Sequence, residues 1–185
     1  MTALDPRPAP VPPITSADLE ISFARITGAS PGPAEKSFLT QAYDDYAADE
    51  TPELGGEDLA AVLAASWTAT KDYPAGSPPL ITVGPLSGAD GQVLDYDLVR
   101  IVQSDAPFLV DSVMGSLAEA GVSVRALFHP VVDLDGRRLS VIMLVIDSVP
   151  QERRDALGEG LAQTLSEVHA AVGDHEAMAA LMREA

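Results

Sequence analysis

The sequence predicts an α+β fold, one antiparallel sheet with helices on one face, preceded by a helical hairpin. Three observations predict it. Apolar residues recur at helical spacing from residue 34 to residue 72. From Leu80 onward the pattern changes to alternating, β-branched runs. After Val93 the runs follow in the order β-α-β-β-α, with one extra strand ahead of them, which is the ferredoxin-like supersecondary plan. The 185 residues suffice for one domain with appendages, and a hydrophobic fraction of 46% is enough to build its core.

Residues 1–33 carry seven of the 15 prolines and read as a largely irregular segment, with a short helix or strand open over Ile14 to Ile26. Residues 34–73 read as the helical hairpin. Phe38, Leu39, Ala42, Tyr43 and Tyr46 form one stripe, and Leu59, Val62, Leu63 and Trp67 form a second. Prolines 74, 78 and 79 then separate this arm from residues 79–185, the α+β domain.

Within that domain, Leu80, Ile81 and Val83 start a strand, and Ser87 to Gly91 form a turn. Val93 to Ser104 is a second strand. Asp105 is placed to cap the next helix, with Pro107 in its first turn, and Leu109, Val113 and Leu117 line its buried side. Gly121 stops that helix. Residues 122–134 alternate as one strand, Asp135-Gly136 marks a hairpin, and Leu139 to Asp147 reads as a central buried strand. Ser148 and Gln151 are spaced as a capping box around Pro150. Leu157, Leu161, Leu165, Val168 and Val172 give the last long helix, with an interruption at Gly173-Asp174 before a short final one.

Charge and composition narrow the function. Lys and Arg number 11 against 28 Asp and Glu, a net charge of -17. Such a surface repels nucleic acid and anionic membranes, so neither is an expected partner. Absence of cysteine removes disulfides, thiol catalysis and Cys-zinc sites. The first residues lack a basic, then apolar, leader pattern, and no apolar run approaches membrane-spanning length. The expected location is the cytoplasm.

Signatures of catalysis are missing. There is no phosphate-binding loop and no nucleophile elbow. Gly158-Glu159-Gly160 begins like a dinucleotide fingerprint but lies inside a helical stripe, with Gln163 at the third glycine position. His175-Glu176 lacks a second histidine ligand. Asp95 and Asp97 read as solvated, and Arg137-Arg138 and Arg153-Arg154 as surface ion-pair partners. No catalytic, metal or cofactor-binding residue is assigned.

One local arrangement carries chemistry. The turn Gln103 to Phe108 delivers a strand into a helix start, whose free N–H groups suit an anion such as an amino acid's carboxylate. Asp105 beside it suits the ammonium group. The candidate ligand-binding residues are Ser104, Asp105, Pro107, Phe108, Leu109, Gly121 and His129. The bland alternatives are a plain capped turn and a strand-end histidine that packs or hydrogen-bonds.

The run IVQSDAPFLVDSV, Ile101 to Val113, resembles a motif of the large bacterial NAD-specific glutamate dehydrogenases. Asp105, Pro107, Phe108, Leu109, Val110, Asp111 and Ser112 match it, while Ala106 stands where that family has methionine. Gly121, His129-Pro130-Val131, and the late run Val168, Ala171, Val172, Asp174 and Met178 are similar as well, with His175 in place of tryptophan. The resemblance implies the N-terminal ACT-type regulatory domain of a longer enzyme that oxidises L-glutamate to 2-oxoglutarate. It implies no cofactor in this chain and NAD in the parent. Its implied partners are the rest of the dehydrogenase chain, an amino-acid effector and further copies of itself. ACT domains end in a strand after the second helix. This sequence shows none there, and the strand from Leu80 is expected to fill that sheet edge. The alternative is a purely structural docking or dimerisation module, and a freestanding enzyme is disfavoured by the missing signatures.

Overall fold

The computed structural model describes residues 14–46 and 54–184, with side chains as far as residue 173. The first 13 residues of the proline-rich segment lie outside the described residues, as do the side chains of Asp174, His175 and Met178.

The sheet is antiparallel throughout. It comprises β1 (Leu80–Ser87), β2 (Val93–Ser104), β3 (Val124–Phe128), β4 (Val131–Leu134) and β5 (Arg137–Asp147). The order is β1-β2-β5-β3, with β4 also on β5. β3 and β4 are two halves of the single strand expected over 122–134. They pair with β5 in succession, Phe128 opposite Met143 and Val131 opposite Ser140. The break falls at His129-Pro130 because proline has no N–H to give a ladder, although its carbonyl still accepts from Val141 N–H at 2.9 Å. Asp135 and Gly136 both have positive φ, as a tight hairpin turn between β4 and β5 requires. β1 fills the outer position beside β2, so the sheet edge is completed by a strand that precedes the βαββα unit.

Strand alternation divides the core. Val99 and Ile101 of β2, with Ile142, Leu144 and Ile146 of β5, face α4 (Leu109–Glu119) and α5 (Gln151–Glu184). Leu98 and Val102, with Leu139, Val141, Met143 and Val145, face the opposite layer. That layer contains α1 (Ser16–Thr27), α2 (Pro33–Asp44) and α3 (Gly56–Asp72). The expected two helices therefore lie on one face, and the arm packs down on the other. Trp67 and Phe38 are fully buried there with ring centroids 5.3 Å apart, and Trp67 Nε1 donates to Glu35 at 2.8 Å. Both helices expected over 34–73 are present, as α2 and α3, and α1 joins them in the same layer.

Of the short helix or strand left open over Ile14 to Ile26, the helix forms, at Ser16–Thr27. Thr15 and Asp18 close a capping box, Leu19 and Phe23 bury one side, and the prolines all lie outside it. Ser148 does not cap α5; the carbonyl of Pro150 accepts its first bonds, from Arg153 and Arg154 N–H. α5 runs unbroken through Gly173-Asp174 for 34 residues, about 51 Å. A helical glycine costs about 1 kcal/mol against alanine and does not by itself end a helix.

The outer edge of β3 and β4 is covered. Gln41 of α2 donates through Nε2 to the Val131 carbonyl at 2.9 Å and accepts from Val131 N–H at 3.0 Å. One turn on, Asp45 accepts from His129 N–H at 2.8 Å. Side chains thus stand in for a neighbouring strand where the chain bends. β1, by contrast, pairs only with β2 among the described strands.

Candidate functional site

β2 ends at Ser104, and α4 begins only at Leu109. Asp105 is not the cap. Its N–H donates to the Arg138 carbonyl at 3.0 Å, which continues the β2–β5 ladder and keeps Asp105 extended. Its carboxylate accepts from Arg138 Nε, also at 3.0 Å. Phe108 takes the N-cap position instead, in the left-handed region at φ 67°, and supplies no side-chain cap. The first three N–H groups of α4, those of Leu109, Val110 and Asp111, have no acceptor within the helix. Phe108 is 70% exposed, whereas Leu109 is 2% exposed and locked into the core. Leu109 therefore contributes backbone to this site and no side chain.

His129 joins the turn from the β3–β4 break. Its Nε2 shares a 2.8 Å hydrogen bond with Ser140 Oγ, a fully buried hydroxyl. Burial holds the imidazole below its ordinary pKa of 6.5, while Asp105 and Asp45 pull the other way. Directly across from Ser140 lies Gln103, 1% exposed. Gln103 Oε1 accepts from His169 Nε2 of α5 at 2.9 Å. A polar row, His129, Ser140, Gln103 and His169, therefore crosses this end of an otherwise apolar layer.

Ser104, Asp105, Pro107, Phe108 and His129 are thus gathered at one end of the sheet. Gly121 is not among them. It lies beyond the other end of α4, an 11-residue helix of about 16 Å. There its φ of 65° lets the chain turn into β3, and the carbonyls of Ala120 and Gly121 accept from Arg153 Nη2 at 2.6 and 3.4 Å. Arg138, Ser140 and His169 are the residues that sequence reasoning left out. The paired basic residues were the one available signal for Arg138, and nothing local marks the other two.

The same far end corrects the reading of Asp97. Its side chain is fully buried and takes a forked contact from Arg154, Nε at 2.8 Å and Nη2 at 2.9 Å, plus Val149 N–H at 3.0 Å. Arg137 and Arg153 bind backbone carbonyls, of Tyr73 and Ala120, rather than surface carboxylates. Asp95 is exposed as expected. Among the described residues no cluster of His, Asp and Glu could hold a metal ion, and no helix is long and apolar enough to cross a membrane. Gly158 and Gly160 lie inside α5, as their place in a helical stripe predicted, and the strand pairs among the described residues are antiparallel.

The sheet order and the paired helices on one face define an α+β domain of ferredoxin-like, ACT-type plan. A family model described as glutamate dehydrogenase, ACT1 domain, matches residues 38–182, and the chain belongs to that family. The matched span starts within α2, so it takes in the rest of α2, all of α3 and the sheet, and leaves out α1. Comparison with curated proteins and with solved structures gave no match.

Proposed function

We propose that the chain is a non-catalytic regulatory and assembly domain of an NAD-dependent glutamate dehydrogenase. The parent enzyme converts L-glutamate, water and NAD to 2-oxoglutarate, ammonium and NADH, with catalysis and cofactor carried outside this chain. The domain binds a small amino acid at the turn 104–109 beside His129. The observation that carries this reading is the α4 start, with no side-chain cap, set next to Asp105 and a half-buried His129. The helix N–H groups receive the carboxylate. Asp105 receives the ammonium group in exchange for part of its contact with Arg138. Coupling of such a site to an activity is worth about 1–3 kcal/mol.

Thermal-shift and calorimetric screening of the chain against the amino acids, 2-oxoglutarate and NAD tests this. One amino acid is expected to bind, NAD is not, and Asp105→Ala is expected to weaken the binding. Full affinity in that mutant would put the site elsewhere. A second reading, a docking or dimerisation module, is favoured by the open edge of β1, where Leu80 is 38% exposed. A mass by light scattering that stays monomeric at every concentration would count against self-pairing.

A further inference from the structure

We infer that a second site lies on the other flank of the polar row, in the cleft between the Pro78-Pro79 linker and α5. It takes a small ligand that presents a carboxylate or carboxamide oxygen on an apolar body. The inference does not rest on the reading of the 104–109 turn, with which it shares only Ser104.

The cleft has a volume of about 530 Å³, within the range of small-molecule sites. Pro78, Pro79 and Ala162 give it an apolar wall, and Ser104, Ser166 and His169 give it polar groups. Its lining contains no Lys, Arg, Asp or Glu. Gln103 lies one layer behind the lining, preceding Ser104 in the chain and hydrogen-bonded to His169, both of which line the cleft. Gln103 is the informative residue. Its Oε1 is satisfied by His169, but its Nε2 is buried with no partner, and it is the one such side-chain atom among the described residues. Val99 and Ile101, on the same face of β2, are apolar and fully buried. A leucine at position 103 would continue that stripe without the desolvation penalty of an unpaired N–H. A buried donor kept at this cost beside a mixed cleft is a device for reading an acceptor, because a ligand lacking the oxygen leaves it unpaired. The two rigid prolines hold the opposite wall without side-chain ordering on binding.

Butyrate, butyramide and 1-butanol are the probes. They share an apolar body and differ in the carbonyl oxygen. Each is titrated into the 185-residue chain, and the Gln103 side-chain amide signal is followed by ¹⁵N NMR. Butyrate or butyramide is expected to shift that signal saturably at millimolar concentration, and 1-butanol is not. Whichever of the two binds more tightly identifies a carboxylate or a carboxamide as the natural feature. Ala162→Phe fills the cleft from an exposed helical position and is expected to abolish the shift with the fold intact by circular dichroism. Gln103→Leu is expected to weaken carbonyl-probe binding about tenfold or more, the scale of one lost hydrogen bond. Asp105→Ala is expected to leave it unchanged. Three results would overturn the inference: no shift with either carbonyl probe, an equal shift with 1-butanol, or undiminished binding in folded Ala162→Phe. The last of these would place the ligand outside the cleft, sinking this site while leaving the proposed regulatory site standing.

Discussion

The two ends of the α4–α5 layer are built on opposite terms. At the end near Gly121, polar groups are matched. Asp97 and Arg154 neutralise each other out of solvent, and Arg153 covers the last carbonyls of α4. At the end near Ser104, α4 starts without a side-chain cap, Phe108 holds a left-handed backbone, and His129 is kept toward its neutral form. Gln103 there leaves a buried amide unpaired. The same two helices and the same sheet supply both ends, so size and packing do not explain the difference. Buried polar groups left unsatisfied cost stability, and a fold retains them where recognition uses them. The matched end fixes the frame, and both proposed ligand sites lie at the unmatched end.

The largest expected effect is at the matched end. Arg154→Leu leaves the Asp97 carboxylate buried with only Val149 N–H to hold it. The unfolding midpoint is expected to fall on the order of 10 °C. The double change Asp97→Leu with Arg154→Leu is expected to recover most of that loss, since an apolar pair removes both desolvated charges. Arg138→Leu makes the same substitution at the other end. Its partner Asp105 is partly solvated and the arginine itself is mostly exposed, so the cost is expected to stay below about 1 kcal/mol. Differential scanning calorimetry of the three variants breaks the comparison if Arg138→Leu proves as damaging as Arg154→Leu.

A smaller effect is expected where α2 covers the sheet edge. Gln41→Ala removes both side-chain bonds to Val131, whose N–H and carbonyl are left to solvent at the strand margin. A loss of about 1–2 kcal/mol is expected in urea unfolding. Faster amide exchange at Val131 than at Val141 would show that the loss is local.

His129 gives a pH signature confined to the unmatched end. Its folded pKa lies below the ordinary 6.5, mainly through burial. The unfolded chain therefore binds the proton first as pH falls. The stability from a neutral His129 is full above about 6.5 and is lost as pH drops from there to the lowered folded value. In His129→Gln the stability curve is expected to be flatter in that window, with unchanged slope above it. An equal slope in both proteins would show that His129 does not differ between the folded and unfolded states.

What the sequence made legible follows the range of the interactions. Asp135-Gly136 announced its hairpin because a two-residue turn is decided by its own residues. Leu157, Leu161 and Leu165 announced the buried side of α5 for the same reason. Thr15 and Asp18 carry an equally local capping signal, which selects the helix from the two options open over Ile14 to Ile26. Asp97 looked solvated because its partner Arg154 is 57 positions away. Gln103 and His169, 66 positions apart, were invisible as a pair. Even Asp105, a sound N-cap by local rules, is overruled at long range. Its ladder bond to Arg138 holds it extended and moves the helix start to Leu109.

That displacement sets the smallest and most discriminating prediction. Phe108 inherits the N-cap in a conformation that bulky residues avoid, and its ring is mostly outside the protein. A left-handed non-glycine residue costs of order 1 kcal/mol. Phe108→Gly removes that strain and little buried surface, but it also gives the unfolded chain more freedom. The two nearly cancel, so the change in stability is expected to lie within about 1 kcal/mol of zero, on the stabilising side if strain prevails. A ring kept for packing within the domain would give a clear loss in the same measurement. A ring kept for contact with a ligand or a partner leaves stability alone and lowers amino-acid affinity or self-association instead. Chemical denaturation alongside calorimetry and light scattering on this one variant therefore separates a residue of the frame from a residue of the site.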